Sequence, residues 1–162
     1  MYFSGHYQNA YVTHDLDKAM RLFSDRFGLK DWLVYEPEMT VKTLQGLQPY
    51  AVRLATAWSG TLQLELIQPV SGFVHHYRNF LPEDSADFVP RFHHTALRRS
   101  SEQALRAEIA EIGLPLAFEG EVPGMVFVYL DAREWLGHYL EMCWATPEMW
   151  TINGWPADKP AV

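Results

Sequence analysis

The sequence contains a single cysteine, Cys143, which excludes an intramolecular disulfide framework and any cysteine-based zinc module. No apolar run approaches the length of a membrane span, so no membrane contact is expected. The opening MYFSGHYQNA has neither a basic segment nor an apolar leader core, and the expectation is a cytoplasmic protein. Positive charge is scarce: 13 Lys and Arg stand against 20 Asp and Glu, a net charge of −7. A nucleic-acid binder needs cations to displace phosphate counterions, so nucleic acid is not an expected partner. Low-complexity tracts are absent, and 48% hydrophobic against 20% charged residues excludes general disorder. A chain of 162 residues hides roughly 70% of its unfolded surface, enough for one domain spanning 1–162. Aromatic residues are what the chain has in abundance. Six Trp, eight Tyr and nine Phe either fill a core or line an apolar pocket.

Two segments share a layout. YQNAYV leads to Asp15, the run LDKAMRLFSDRF and Gly28; HHTALRR leads to Ser101, the run EQALRAEIAEI and Gly113. Asp15 and Ser101 suit helix N-caps, and Ser100 with Gln103 suggests a capping box. Leu16, Ala19, Met20, Phe23 and Phe27 follow helical spacing, as do Leu105, Ile109 and Ile112. Gly28 and Gly113 stand where a left-handed residue ends a helix. Strand-like runs follow each glycine: DWLVYE, YAVRLATAW and TLQLELIQ, then PLAFEG, MVFVYLD and HYLEMCW, with Ser59-Gly60 as a hairpin turn. The pattern predicts an α+β fold of two βαβββ modules, at about 6–70 and about 92–144. A crossover at 71–91 joins them and drapes over the site, and an irregular arm rich in Pro and Trp occupies 145–162.

Alternation in TLQLELIQP puts Leu62, Leu64 and Leu66 on one face and Gln63, Glu65 and Ile67 on the other. HYLEMCW likewise separates Leu140 and Met142 from Tyr139, Glu141 and Cys143. A carboxylate within a buried strand is costly unless paired, hydrogen-bonded or metal-bound. Either glutamate alone is more often an ion-pair partner; two on the last strands of two similar modules suggest more. Gln8 and His94 each precede their cap residue by seven positions. If a pseudo-twofold axis relates the modules, Gln8 matches His94 and Glu65 matches Glu141. The four then offer a mixed nitrogen and oxygen set to one divalent metal, and without a thiolate Zn, Ni, Co, Mn and Fe all qualify. His6 shares the face of Gln8 and replaces it if the register slips. His76 in the crossover, Arg98 on the face of His94, and Tyr139 on the face of Glu141 are candidate substrate contacts. Arg98 suits a carboxylate or phosphate, or an acidic side chain. His138 falls on the opposite face from Glu141 and is expected to be structural.

The stretches QNAYVTHDLDKAMRLFSDRFGL, LQLELIQP, FHHTAL and LGHYLEMC resemble the vicinal oxygen chelate superfamily. That superfamily includes glyoxalase I, methylmalonyl-CoA epimerase, extradiol dioxygenases and bleomycin-resistance proteins. The resemblance covers about 6–144, and ELIQP followed by HH is nearest to the epimerase branch. It implies paired βαβββ modules forming a cup-shaped mixed sheet, often built as a homodimer, with metal ligands at Gln8, Glu65, His94 and Glu141. It implies a small-molecule substrate and proton transfer next to a carbonyl through a metal-stabilised enediolate or enolate, with Glu141 and Glu65 as acid and base. Val12 and Pro69 stand where glutathione-binding glyoxalases carry Arg and Asn, which argues against glutathione. Two other functions fit the same resemblance. A metal-free binding or resistance protein has no use for two buried glutamates, and an extradiol dioxygenase uses His where this chain has Gln8.

Overall fold

The computed structural model describes residues 3–156. Its elements are β1 (His6–Val12), α1 (Leu16–Phe27), β2 (Leu33–Tyr35), β3 (Glu38–Thr43), β4 (Gly46–Ser59), β5 (Leu62–Gly72), α2 (His75–Arg78), β6 (Arg91–Arg98), α3 (Glu102–Ile112), β7 (Leu116–Val122), β8 (Met125–Leu130), α4 (Arg133–Leu136), β9 (Tyr139–Ala145) and α5 (Pro147–Ile152). This is the α+β order expected, with four departures. The first module has an extra strand, β3. The crossover contains the single turn α2, and a second single turn, α4, stands between β8 and β9. The segment after β9 opens as a helix rather than an irregular arm, because Thr146 caps it through Met149 N and Pro147 occupies its first turn. The arm's last residues, 157–162, lie outside those described.

Chain contacts divide the protein into two compact units, one of residues 8–40 and 48–93, the other of residues 3–7, 41–47 and 94–156. In the first unit, α1 begins where Asp15 accepts from Lys18 N at 3.0 Å and ends at Gly28, left-handed with φ 71°. Leu16, Ala19 and Phe23 pack on Ala55, Ala57 and Leu66, giving this unit its core. Phe27, expected on the same stripe, is 70% exposed, with its ring edge-on to that of Phe23. It is the last residue of the helix. Strand β1 runs parallel to β5, and β4 pairs antiparallel with both β5 and β2. Thr13 Oγ1 donates to Phe88 O at 2.7 Å and His14 Nε2 to Pro82 O at 2.9 Å, which fasten the crossover to the end of β1.

The second unit repeats the plan. Ser101 caps α3 through Ala104 N, Gly113 ends it with φ 67°, and Leu105 packs on Leu97, Val128, Leu130, Leu140 and Met142. The cap is Ser101 with Ala104 at the third helical position, so the box expected from Ser100 and Gln103 does not form. Strand β6 runs parallel to β9, β8 pairs with β9, and β7 pairs with β8, both antiparallel. Residues 41–47 belong here too, and Lys42 stands opposite Glu119 of β7.

Helix α3 is tied to β7 by Arg106, whose Nη1 and Nη2 donate to Glu119 at 2.7 and 2.8 Å. Those hydrogen bonds hold the Glu119 carboxyl below the usual carboxylate range, against the upward push of its burial. A depressed folded pKa contributes stability that is complete above the unfolded value of 4.5 and fades as pH falls through the lower folded value. Urea midpoints should therefore drop more steeply below pH 4.5 in the wild type than in Glu119→Gln; parallel pH profiles would remove Glu119 from acid sensitivity.

Candidate functional site

In the second unit the buried charge is concentrated on the sheet face away from α3. His94 on β6 is wholly buried and Glu141 on β9 is 5% exposed. Parallel pairing sets His94 opposite Tyr139 and Ala96 opposite Glu141, so the imidazole and carboxylate rise from one face two positions out of step. His94 Nε2 stands 2.9 Å from Glu141 Oε2. Tyr129, directly opposite Glu141 on β8, brings its hydroxyl to 3.4 Å from the same nitrogen. Its ring stacks on Phe118, with centroids 4.3 Å apart and planes 18° from parallel. Neither Tyr129 nor Phe118 was visible as a site residue in the sequence. The alternation of MVFVYL is the signal, because it puts Phe127 and Tyr129 on the face shared with Glu141 once β8 and β9 are in register.

The pair fits a metal. Bonds of about 2.0–2.2 Å from one ion to an imidazole nitrogen and a carboxylate oxygen leave those atoms roughly 3 Å apart. The 2.9 Å separation matches, and the nitrogen and oxygen chemistry accepts Zn, Ni, Co, Mn or Fe.

The first unit carries the same register in its own parallel pair. Gln8 lies opposite Gln63 and Ala10 opposite Glu65. All three polar side chains are buried, and Gln8 Nε2 donates to Gln63 Oε1 at 2.7 Å. The amide oxygen of Gln8, the atom with lone pairs to offer a cation, is therefore not the one engaged with Gln63. His6 is exposed at the start of β1, so the burial belongs to Gln8.

The other expected residues divide between the units. His76, on α2 of the first unit, is 2% exposed among aromatic rings, its centroid 4.0 Å from that of Tyr77 and 6.0 Å from that of His93. His93 Nε2 lies 3.3 Å from His76 O, so His93 is the packing member of the His93-His94 pair. In the second unit Tyr139 lies beneath the Arg133 guanidinium, 4.9 Å from its ring centroid, and burial raises the phenol above its ordinary pKa. His138 Nδ1 is 2.7 Å from Tyr139 O, a backbone contact consistent with a structural role. Arg98 stacks against Trp150 and Trp155, and burial lowers its guanidinium below the arginine range.

A family model described as the Glyoxalase/Bleomycin resistance protein/Dioxygenase superfamily matches residues 7–129. The chain belongs to this superfamily. Comparison with curated proteins by sequence finds no match. Among solved structures the superfamily member is similar to methylmalonyl-CoA epimerase from Mycobacterium tuberculosis, with 16% identity, a TM-score of 0.62, and 91% of this chain and 92% of that chain covered. A methylmalonyl-CoA epimerase in complex with methylmalonyl-CoA and NH4+ follows at 19% identity, a TM-score of 0.56, and 88% and 94% coverage. A variant of the Streptomyces coelicolor methylmalonyl-CoA epimerase bound to 2-nitronate-propionyl-CoA matches at 18% identity, TM-score 0.56, and 88% and 94% coverage. At such identities the likeness concerns the fold, which is the glyoxalase fold expected from the sequence. No helix among the described residues is long and apolar enough to cross a membrane.

Proposed function

We propose that this superfamily member is a metal-dependent isomerase, epimerase or lyase that moves a proton at a carbon beside a carbonyl group. The observation that carries the reading is the repeated stagger on two parallel strand pairs. Gln8 faces Gln63 with Glu65 two residues on, and His94 faces Tyr139 with Glu141 two residues on. In this reading Glu65 joins His94 and Glu141 as ligands of one divalent ion, and Gln8 is the fourth donor. When bound, the ion supplies Lewis acidity that acidifies the neighbouring C–H. Glu141 takes the proton, Glu65 returns one from the other side, and the Tyr129 hydroxyl and Phe118 stack keep His94 and Glu141 in place. Tyr139 and His76 contact the substrate. Methylmalonyl-CoA, named in the epimerases of similar fold, is the first substrate to assay. We place the protein in the cytoplasm as a homodimer in which 1–162 works as a single domain.

Elemental analysis of the purified protein tests this. About one divalent metal per chain is expected, with occupancy lost in both Glu65→Ala and Glu141→Ala because each removes a charged ligand. Absence of metal after incubation with Zn, Ni, Co and Mn would leave a metal-free binding protein as the function.

A further inference from the structure

Arg98 closes β6 on the same sheet face as His94 and is 5% exposed. Its neighbour Arg99 shows how this unit treats a buried arginine: Arg99 forks onto both carboxylate oxygens of Glu108 and donates to Ser4 O and Arg98 O at 2.8 Å. Arg98 has no such arrangement. Its Nε and Nη1 are buried without a hydrogen-bond acceptor, and among the described residues no carboxylate pairs with it. What it has instead are rings. Its Cζ lies 4.0 Å from the Trp155 ring centroid and 4.9 Å from that of Trp150, and Tyr7 packs edge-on to Trp150 at 5.2 Å. A ring over the face of a guanidinium leaves its edges free, and hydrogen bonds to an oxyanion lie in the guanidinium plane. A buried cation with unmet in-plane donors is an expensive element to keep unless something completes it.

We infer that Arg98 is an anion-binding residue that receives the carboxylate of a small-molecule ligand at its guanidinium edge, while Trp150 and Trp155 cover its face. A carboxylate suits the place better than a phosphate, since one guanidinium balances a monoanion and Arg99 is already committed to Glu108. Four residues separate Arg98 from His94, about 13 Å along the strand. The ligand is then an extended molecule with its carboxylate remote from the reacting carbonyl, unlike methylmalonyl-CoA, which carries both on one carbon; occupation of Arg98 by the substrate therefore points to a different acyl group. Only this last step, which makes the ligand the substrate, rests on the proposed function; the anion site does not need the metal.

The test is a titration of metal-depleted and metal-loaded protein with propionate, malonate and inorganic phosphate, followed by tryptophan fluorescence and by the Arg Nε–H resonances in proton–nitrogen spectra. Saturable carboxylate binding is expected in both preparations, with the Arg98 Nε–H shifting. Affinity should fall at least about tenfold in Arg98→Met and be only partly restored in Arg98→Lys, which keeps the charge but not the planar fork. Tighter saturation by phosphate than by carboxylates would overturn the assignment of the partner as a carboxylate. Absence of saturation in the wild type, or equal binding by a folded Arg98→Met, would overturn the anion site. If anions bind but no metal does, the metal reading fails alone; if metal binds and anions do not, the Arg98 inference fails alone.

Discussion

Glu141→Gln should fold like the wild type and lose about 10²–10⁴ in turnover, the range for removing a positioned general base. The substitution keeps the shape and an oxygen donor while deleting the charge that faces His94 Nε2 at 2.9 Å. The measurement is solvent-deuterium incorporation at the carbon beside the substrate carbonyl, read by proton NMR, with metal content determined on the same samples. Metal retained with exchange lost assigns the proton to Glu141. Metal and exchange lost together make Glu141 a ligand first. Exchange at the wild-type rate removes it from the chemistry. Glu121→Gln, exposed on β7, serves as the control and should change nothing.

The second large effect is on stability. Phe118 is wholly buried and stacked on Tyr129. Truncating such a ring removes its transfer free energy and leaves a cavity, so Phe118→Ala should cost about 3–5 kcal/mol. At this chain length that lowers the melting temperature by roughly 10–15 °C. Because the stack also holds the Tyr129 hydroxyl toward His94, any activity that survives in Phe118→Ala should resemble that of Tyr129→Phe. A loss below about 1 kcal/mol would mean that the ring is not packed as described.

The legible parts of the molecule were those with short-range physical signatures. Asp15 and Ser101 caps, the Gly28 and Gly113 stops, and the alternation around Glu65 and Glu141 are readable because each depends on neighbours a few positions away. Strand β3 was not legible because EMTVKT offers one strongly apolar residue, Val41, too few to mark a buried face. The short helix after β9 was missed although Thr146 and Pro147 signal its start; the run of Trp and Pro beyond them outweighed the cap. Tyr129 needed the register of β8 on β9, which no single strand contains. The pairing of His94 with Glu141 followed from matching two modules, whereas the packing role of His93 required the position of His76.

The placement of residues 3–7 and 41–47 with the second unit has a consequence for how the protein is made. Arg99 and Ser4, which hydrogen-bond, lie 95 positions apart, and Lys42 awaits Glu119. On the ribosome these early segments emerge long before their partners, so residues 8–40 and 48–93 are all available early while the second unit waits for the end of synthesis. During that interval the end of β3 presents an open strand edge, the kind of surface on which nascent chains associate. A pause in synthesis over the second half therefore lengthens the time for which that edge stands uncovered.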